Sequence, residues 1–199
     1  VDNPTVQVPV FRPYDSEEIL AYELGAKAEL FGGRVRTEFD VFWYDWKDQV
    51  IPNIVEEVDG RRITIPTSFE TNAGDATVKG AEFSIEGKVT ERLRLNAGVA
   101  LIDSKYDEAA LTTFQLFPSF APSGAVNGKY VLRQSRTQYN LGLGYEAPVK
   151  DSLSLYVRSD YAYRGKQYAD SVNQAIIPEQ GFLNASIGLR GDGWTVELW

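Results

Sequence analysis

The sequence predicts an all-β fold, an antiparallel up-and-down sheet that forms a segment of a transmembrane β-barrel. Three observations lead to this prediction. Apolar and polar residues alternate with a period of two along most of the 199-residue chain, short and long connections alternate between these runs, and aromatic residues gather where the runs meet the long connections. No helical period competes with the alternation, so the elements are strands.

The first two predicted strands form a hairpin. Residues 20–30 place apolar side chains on one face and charged ones on the other, and residues 35–41 repeat the pattern after Gly32-Gly33. A Gly-Gly pair between two alternating runs is typical of a tight turn. Each run has one apolar face and one charged face.

The remaining predicted strands carry the same alternation. Their apolar runs are residues 81–89, 93–101, 139–145, 153–163 and 183–189, and the beginning of a further strand at 194–199. Runs such as 20–30 or 93–101 already have the about 9 to 11 residues that a tilted strand needs to cross the hydrocarbon core. We therefore expect about seven complete strands and part of an eighth.

The lengths of the connections between strands distinguish the two ends of the sheet. The turns near Gly32, Thr90, Val149 and Asp192 are short, whereas segments 50–72, 104–135 and 165–179 are long and rich in Pro, Gly, Ser and Asn. Strict alternation puts all short turns at one end and all long loops at the other. Outer-membrane barrels have this arrangement, with tight periplasmic turns and long extracellular loops, and Greek-key sandwiches have no reason to adopt it.

Aromatic residues lie where two of the strands approach the long loops. Tyr and Trp favour a membrane interface because an apolar ring carries a hydrogen-bonding group. The predicted interface residues are Phe42, Trp43, Tyr44, Trp46, Tyr161 and Tyr163. The alternative is an aromatic core cluster of a soluble protein.

Composition excludes several functions. The chain has no His and no Cys, so it lacks the usual general base and the commonest metal ligands, and its net charge of -8 disfavours nucleic acid. Acidic pairs such as Glu56-Glu57 and Asp107-Glu108 are best explained as solvated loop charge. We predict no catalytic residue, no cofactor and no metal site, and expect a protein that is not an enzyme. Val1 is expected to be an internal or processed start.

Several segments resemble the barrel hairpins of one family. They are Tyr22-Glu23-Leu24-Gly25-Ala26-Lys27, Phe31-Gly32-Gly33-Arg34-Val35, Tyr44-Asp45-Trp46-Lys47-Asp48 and Asn72-Ala73-Gly74-Asp75-Ala76-Thr77-Val78-Lys79-Gly80-Ala81-Glu82. In this order and spacing, over nearly the whole chain, they are similar to the TonB-dependent receptors. The residues themselves suggest that Asn72 and Gly74 favour a bend and that Gly80 allows a close approach, so this last segment is expected to act as scaffold.

The resemblance implies an outer-membrane receptor that imports ferric siderophores, cobalamin or oligosaccharides with energy supplied through TonB. It implies that residues 1–199 are part of a single β-barrel domain and supply about seven to eight strands of a 22-stranded barrel. The plug domain, the TonB-contacting segment and the closing strand would lie outside this chain. The implied partners are the TonB complex through the missing N-terminal region, outer-membrane lipid and lipopolysaccharide, and the imported small molecule.

Ligand contact would then fall to the long loops. Guanidinium groups could bind an anionic ligand, and aromatic rings could pack on aromatic or sugar rings. The candidates are Arg61, Arg62 and Arg133 for the first role, and Phe114, Phe117, Phe120 and Tyr168 for the second. Lipopolysaccharide contact or solubility would equally explain the arginines, and packing of the loops on themselves would explain the aromatics.

Three alternatives stay open at this point. A closed eight-stranded outer-membrane barrel for adhesion or anchoring would pair its first and last strands, although Trp199 falls on the polar phase of its run. A passive porin would use the same wall around an open pore. A soluble carbohydrate-binding β-sandwich would bury Phe39, Phe83, Leu95 and Leu141 under a second layer.

Overall fold

The fold consists of strands joined by turns and loops. The computed structural model describes residues 14–58, 61–109 and 126–199, and the side chains of 14–50, 70, 72, 74–109 and 126–199. Within these ranges, no helix has the length and apolarity to cross a membrane. The strands are β1 (Glu18–Leu30), β2 (Val35–Val58), β3 (Arg61–Lys88), β4 (Leu93–Ala109), β5 (Thr137–Lys150), β6 (Leu153–Arg164), β7 (Gln167–Tyr168), β8 (Ile176–Ile177), β9 (Gln180–Gly191) and β10 (Trp194–Leu198).

Eight of the strands form one sheet in the order β1-β2-β3-β4-β5-β6-β9-β10, and β7 pairs with β8. Each strand of this sheet pairs with the sheet strand that comes before it in the chain, so the topology is up-and-down, as predicted. The sheet is open, with β1 and β10 at its two edges. The closed eight-stranded alternative is therefore wrong for this chain.

The chain divides into two compact units. The larger one holds residues 21–44, 78–104 and 130–199, with all of β5 to β10 and sections of β1 to β4. The smaller one includes the described residues 14–20, 45–58, 61–77, 105–109 and 126–129.

In the larger unit, the strand register keeps apolar residues opposite apolar ones. Leu95 lies opposite Leu143, Leu141 opposite Tyr161, and Tyr161 opposite Leu183. Since successive side chains of a strand point to opposite faces, this register gives one continuous apolar face across β4, β5, β6 and β9.

Within the described residues, no second layer covers the apolar side chains of the sheet. Phe39, Phe83, Leu95 and Leu141 are 47%, 41%, 41% and 51% exposed, respectively. A β-sandwich would bury these side chains in its core. The soluble sandwich alternative is therefore wrong, and large apolar side chains without a protein partner are what a lipid-facing surface requires.

The opposite face of the larger unit is polar and rich in ion pairs. Lys27 Nζ lies 2.5 Å from a Glu38 carboxylate oxygen, and Arg36 bridges Glu29 at 3.0 Å and Glu86 at 3.6 Å. These pairs are exposed, so each contributes little to the free energy of unfolding. They show instead that ion pairs gather on this face of the sheet.

The short turns largely match the prediction. Phe31, Gly32 and Gly33 all have positive φ, at 54°, 67° and 81°, and two glycines in succession make this backbone path accessible. At the next short turn, Lys88 Nζ donates to Glu91 at 2.9 Å, and this hydrogen bond lowers the pKa of the Glu91 carboxyl. The predicted turn at Val149 is displaced, because β5 continues to Lys150 through an irregularity in register after Pro148.

Two predicted long loops are shorter than expected. Segment 50–72 was expected to be a loop, yet β2 continues to Val58 and β3 starts at Arg61. The β-branched residues of this segment favour strand, and Asp59-Gly60 between two such runs is a strong hairpin signal that the prediction did not weigh. β4 likewise continues to Ala109, whereas residues 131–136 form no strand.

Candidate ligand-binding site

Two of the seven predicted ligand-contact residues come together in the structure. The backbone N–H of Arg133 donates to the Tyr168 carbonyl oxygen at 2.9 Å. The pairing follows from topology, because the loop before β5 and the loop after β6 leave the same end of two neighbouring antiparallel strands. Arg61 and Arg62 belong to β3, but their side chains lie outside the described residues. Phe114, Phe117 and Phe120 also lie outside the described part of the chain.

Around Arg133 and Tyr168 the structure adds three residues that the sequence prediction missed. The five together, Tyr130, Arg133, Arg136, Lys166 and Tyr168, form what we call the aromatic–cation cluster. The rings of Tyr130 and Tyr168 stack with centroids 5.8 Å apart and an interplanar angle of 7°. The Arg136 guanidinium carbon lies 4.8 Å from the centre of the Tyr130 ring, and Lys166 Nζ lies 5.9 Å from that of Tyr168. Both contacts have cation–π geometry.

Hydrogen bonds connect the two loops that carry the cluster. The Asn173 side chain accepts from the Tyr130 N–H at 2.6 Å and donates to the Tyr130 carbonyl at 2.9 Å. Asn173 has a φ of 61°, a backbone conformation that asparagine tolerates better than most residues. The Gln167 side-chain amide also donates to the Arg133 carbonyl. These bonds satisfy backbone groups of one loop with groups of the other.

The loop after β6 also stabilises its own fold. An Asp170 carboxylate oxygen accepts from the N–H of Val172 at 2.9 Å and from that of Gln174 at 3.1 Å. Ala169 N–H donates to the Ala175 carbonyl at 2.8 Å, next to the β7–β8 pair. An aspartate that accepts from amides two and four residues ahead is a local turn-forming device. The loop that carries Lys166 and Tyr168 is thus held in shape by its own hydrogen bonds.

The cluster presents positive charge and aromatic surface to its surroundings. Arg133, Arg136 and Lys166 are exposed, and the two tyrosines are half-buried. Arg136 Nε lies 4.0 Å from an Asp103 carboxylate oxygen, whereas Arg133 and Lys166 make no ion pair with any residue that the structure describes. Such a surface can bind a planar or anionic group by stacking and charge-assisted hydrogen bonds.

Among the described residues, there is no group of three or more His, Cys, Asp or Glu that could hold a metal ion.

The aromatics of β2 do not occupy the position that was predicted. They were expected at the end of the strand, but β2 continues beyond Trp46 to Val58. Trp43 lies on the apolar face with its ring 5.7 Å from that of Tyr22. Phe42 and Tyr44 lie on the other face, stacked at 5.1 Å, and the Tyr44 hydroxyl donates to the Glu23 carboxylate.

Gly80 explains how the Phe42 ring fits on the polar face. A Cβ atom at Gly80 would lie 2.5 Å from Phe42 Cζ and 2.5 Å from the Leu101 carbonyl oxygen. No side chain fits there without displacing the ring or the neighbouring strand. The expected close approach at Gly80 is therefore present.

A second aromatic group lies on the apolar face at the long-loop end of β5 and β6. Tyr139 stacks on Tyr163 at 4.7 Å and lies 6.0 Å from Tyr161. Assignment of Tyr161, Tyr163 and the β2 aromatics to a membrane interface stays a prediction. The placement favours it for Tyr161, Tyr163 and Trp43.

In the smaller unit, the segment that begins at Asn72 acts as scaffold. The Asn72 amide donates to the carbonyls of Asp48 at 2.6 Å and Asp15 at 3.0 Å, and its oxygen accepts from the Asp15 N–H at 2.7 Å. The Asp75 carboxylate accepts from Lys47 Nζ at 3.0 Å and from the Asp48 N–H at 3.1 Å. Asp48 has a φ of 52°, which departs from strand geometry. Side chains of Asn72 and Asp75 thus bond the backbone where the strand is irregular.

Comparison with known proteins points to one family. A family model described as TonB dependent receptor-like, beta-barrel, matches residues 3–199. The ferric-pyoverdine M114 receptor PbuA of Pseudomonas sp. (strain M114) is 30% identical over 183 residues, which are 89% of this chain and 20% of that protein. The chain therefore spans about a fifth of the length of this curated relative.

Solved structures show the same fold. The ferric yersiniabactin uptake receptor FyuA from Yersinia pestis matches with a TM-score of 0.65 at 19% identity, over 89% of this chain and 23% of that one. BauA, the ferric preacinetobactin receptor from Acinetobacter baumannii, matches with a TM-score of 0.63 at 20% identity, over 90% of this chain and 24% of that one.

Proposed function

The chain belongs to the TonB-dependent receptor-like β-barrel family, and from that premise we propose that it forms part of the wall of a receptor that imports a ferric siderophore. Its relatives are outer-membrane proteins of Gram-negative bacteria, and this is the location of the chain. Membership also disfavours a passive porin and an enzyme, because the relatives are transport receptors.

The observation that carries the siderophore proposal is the likeness to PbuA, whose name describes a ferric-pyoverdine receptor, at 30% identity over 89% of the chain. The names of FyuA and BauA also describe receptors for ferric siderophores. Together they favour a ferric siderophore over cobalamin or an oligosaccharide as the ligand. We take pyoverdine as the first probe.

The chemical character of the aromatic–cation cluster also supports this proposal. Two stacked tyrosines and three exposed cations give aromatic surface and positive charge at one place. A ferric complex with planar chelating groups and net negative charge would find both kinds of contact there. We propose that Arg133 and Tyr168 contact the ligand and that Tyr130, Arg136 and Lys166 complete the surface.

We further propose that residues 1–199 belong to a single barrel domain, whose other strands and plug come from outside this chain. Energy from the TonB complex would reach the receptor through an N-terminal region that is not in this chain. The lengths of the relatives support this proposal, because the chain covers only about a fifth to a quarter of the length of each of them.

Uptake of radiolabelled iron tests the function. We expect cells that express the full-length protein in a strain without other pyoverdine receptors to accumulate iron from ferric pyoverdine. A strain without TonB should still bind the complex but not import it. Uptake that continues without TonB would refute the energy coupling, and absence of binding to a panel of ferric siderophores would refute the ligand class.

A substitution pair tests the site. Tyr168→Ala removes half of the stacked pair and should weaken ferric pyoverdine binding about two- to tenfold, since an aromatic pair contributes about 0.5–1.5 kcal/mol. The matched control is Tyr145→Ala, on the apolar face at the short-turn end of β5. It should leave the dissociation constant unchanged. Equal effects of the two changes would exclude a direct role for Tyr168.

A further inference from the structure

The polar face of β4 and β5 carries a strip of uncharged side chains. Three successive opposite pairs each combine a carboxamide with a glycine or an alanine. They are Asn96 with Gly142, Gly98 with Asn140, and Ala100 with Gln138. We call these six residues the carboxamide strip. All six belong to the larger unit, and at about 3.4 Å per residue they cover about 14 Å along the strands.

Glycines make this strip a recess in the sheet. β4 and β5 contain three glycines, Gly98, Gly142 and Gly144, and all three have the phase of the polar face. A Cβ atom at Gly98 would lie 2.6 Å from Asn140 Oδ1, and one at Gly142 would overlap Asn96 Oδ1. The two asparagine side chains therefore lie across the glycines. Glycine weakens a strand interior and often marks a place where another group approaches the backbone closely.

The hydrogen-bonding groups of the strip are available to a visiting molecule. Asn96 and Asn140 are exposed, and their side chains make no hydrogen bond with any residue that the structure describes. A carboxamide offers two donors and one acceptor oxygen. Its hydrogen bonds are about half as strong as those of a charged group. Weak and repeated contacts are what movement along a path requires, because a molecule that is held tightly cannot leave.

The position of the strip and the charge beside it suit an anionic molecule that leaves the aromatic–cation cluster. Gln138, at one end of the strip, follows Arg136 of that cluster by two residues. The groove of about 520 Å³ beside the strip is also lined by Glu38, Asp40 and Glu82. Lys27 pairs with Glu38 but leaves the other two carboxylates to repel an anion. An anion is therefore disfavoured over β2 and β3, and the uncharged strip on β4 and β5 is the easier surface.

We infer that the carboxamide strip is the part of the wall along which the ferric siderophore passes during import. Asn96 and Asn140 exchange hydrogen bonds with it, and Gly98 and Gly142 leave room for it. The inference rests on the proposed function and extends it from binding at the loops to the import step. Because the strip acts after binding, its residues set the rate of import and not the affinity.

Bulky substitutions in the full-length protein test this inference through binding and import of ferric pyoverdine, measured separately in cells. Gly98→Phe should lower the maximal rate of import at least about tenfold by filling the recess, with the dissociation constant unchanged. Only the flexible end of Asn140 has to move to accept the ring. The matched control is Gly25→Phe on β1, where a Cβ atom likewise meets a flexible polar side chain, that of Asp40. It should import like wild type.

Two further variants address the hydrogen bonds. Asn96→Leu and Asn140→Leu keep the side-chain size and should each slow import about fivefold, the loss of one net hydrogen bond. Heat-modifiable migration of each variant establishes that the barrel is folded. Equal import by Gly98→Phe and wild type, or an equal loss in Gly25→Phe, would overturn the inference.

Thiol labelling separates a transport path from a surface that the plug covers permanently. Asn140→Cys should react with a membrane-impermeant maleimide only when both ferric pyoverdine and TonB are present, and should react fully after denaturation. Protection in every state of the folded protein would indicate a plug contact, and labelling without ligand or TonB would indicate a surface that is always open. Either result overturns the inference.

Failure of the inference can be told apart from failure of the proposed function. If wild type neither binds nor imports ferric siderophores, the function is refuted. If wild type imports ferric pyoverdine and Gly98→Phe does so equally well, only the path is refuted. Tyr168→Ala should raise the concentration of half-maximal import, whereas Gly98→Phe should lower the maximal rate alone.

Discussion

Replacement of Leu141 by arginine tests the inference that the apolar face contacts lipid. Leu141 is 51% exposed on that face and lies four residues beyond Thr137 along β5. At about 3.4 Å per residue and a strand tilt of about 40°, it lies about 10 Å below Thr137, where the apolar phase begins. Half of the apolar band is about 12 Å tall, so Leu141 is close to the midplane. Leu141→Arg should therefore cost about 2–4 kcal/mol of folding free energy.

Two further arginine variants serve as controls for Leu141→Arg. Asn140→Arg has nearly the same depth on the polar face and should change the free energy of unfolding by less than about 1 kcal/mol. Leu101→Arg lies opposite Thr137 at the edge of the band and should cost about 0–1 kcal/mol. The assay is urea titration of the full-length protein in lipid vesicles, followed by heat-modifiable migration. Equal costs at Leu141 and Asn140 would refute the assignment of faces.

Further predictions concern the scaffold. Asn72→Ala removes three hydrogen bonds to Asp15 and Asp48 and should lower the free energy of unfolding by about 1–3 kcal/mol in the same titration, whereas no loss would show that water replaces the amide. Gly80→Val should cost about 1–3 kcal/mol through overlap with Phe42 and the adjoining strand. Adding Phe42→Ala should recover part of that cost, and a strictly additive double variant would contradict the ring contact.

Strand order and sidedness could be predicted from the sequence, because both depend on local alternation. Residues 20–30 and 93–101 carry a period of two that fixes which side chains share a face, and the register that pairs Leu95 with Leu143 preserves it. Short turns such as Gly32-Gly33 were equally visible. The family resemblance rested on these same local segments and is confirmed by the family match.

The extent of the strands and the composition of the site were harder to predict. Segment 50–72 contains Pro52 and several polar residues, so composition favoured a loop over the strand that forms. Tyr130 and Asn173 contact each other across 43 residues of sequence, and no local pattern encodes such a contact. Arg136 and Lys166 were missed for the same reason, since only the pairing of β5 with β6 brings their loops together.

The loop before β5 and the loop after β6 keep their framework bonds separate from the side chains that we propose to contact the ligand. Asn173, Asp170 and Gln167 fix the loop path through bonds to main-chain atoms, and main-chain atoms are common to all residues. The side chains of Arg133 and Tyr168 make none of these bonds to main-chain atoms. If Arg133 and Tyr168 contact the ligand as proposed, natural selection can exchange those side chains to follow a new molecule while the framework persists, and relatives with other cargoes should differ first at these positions.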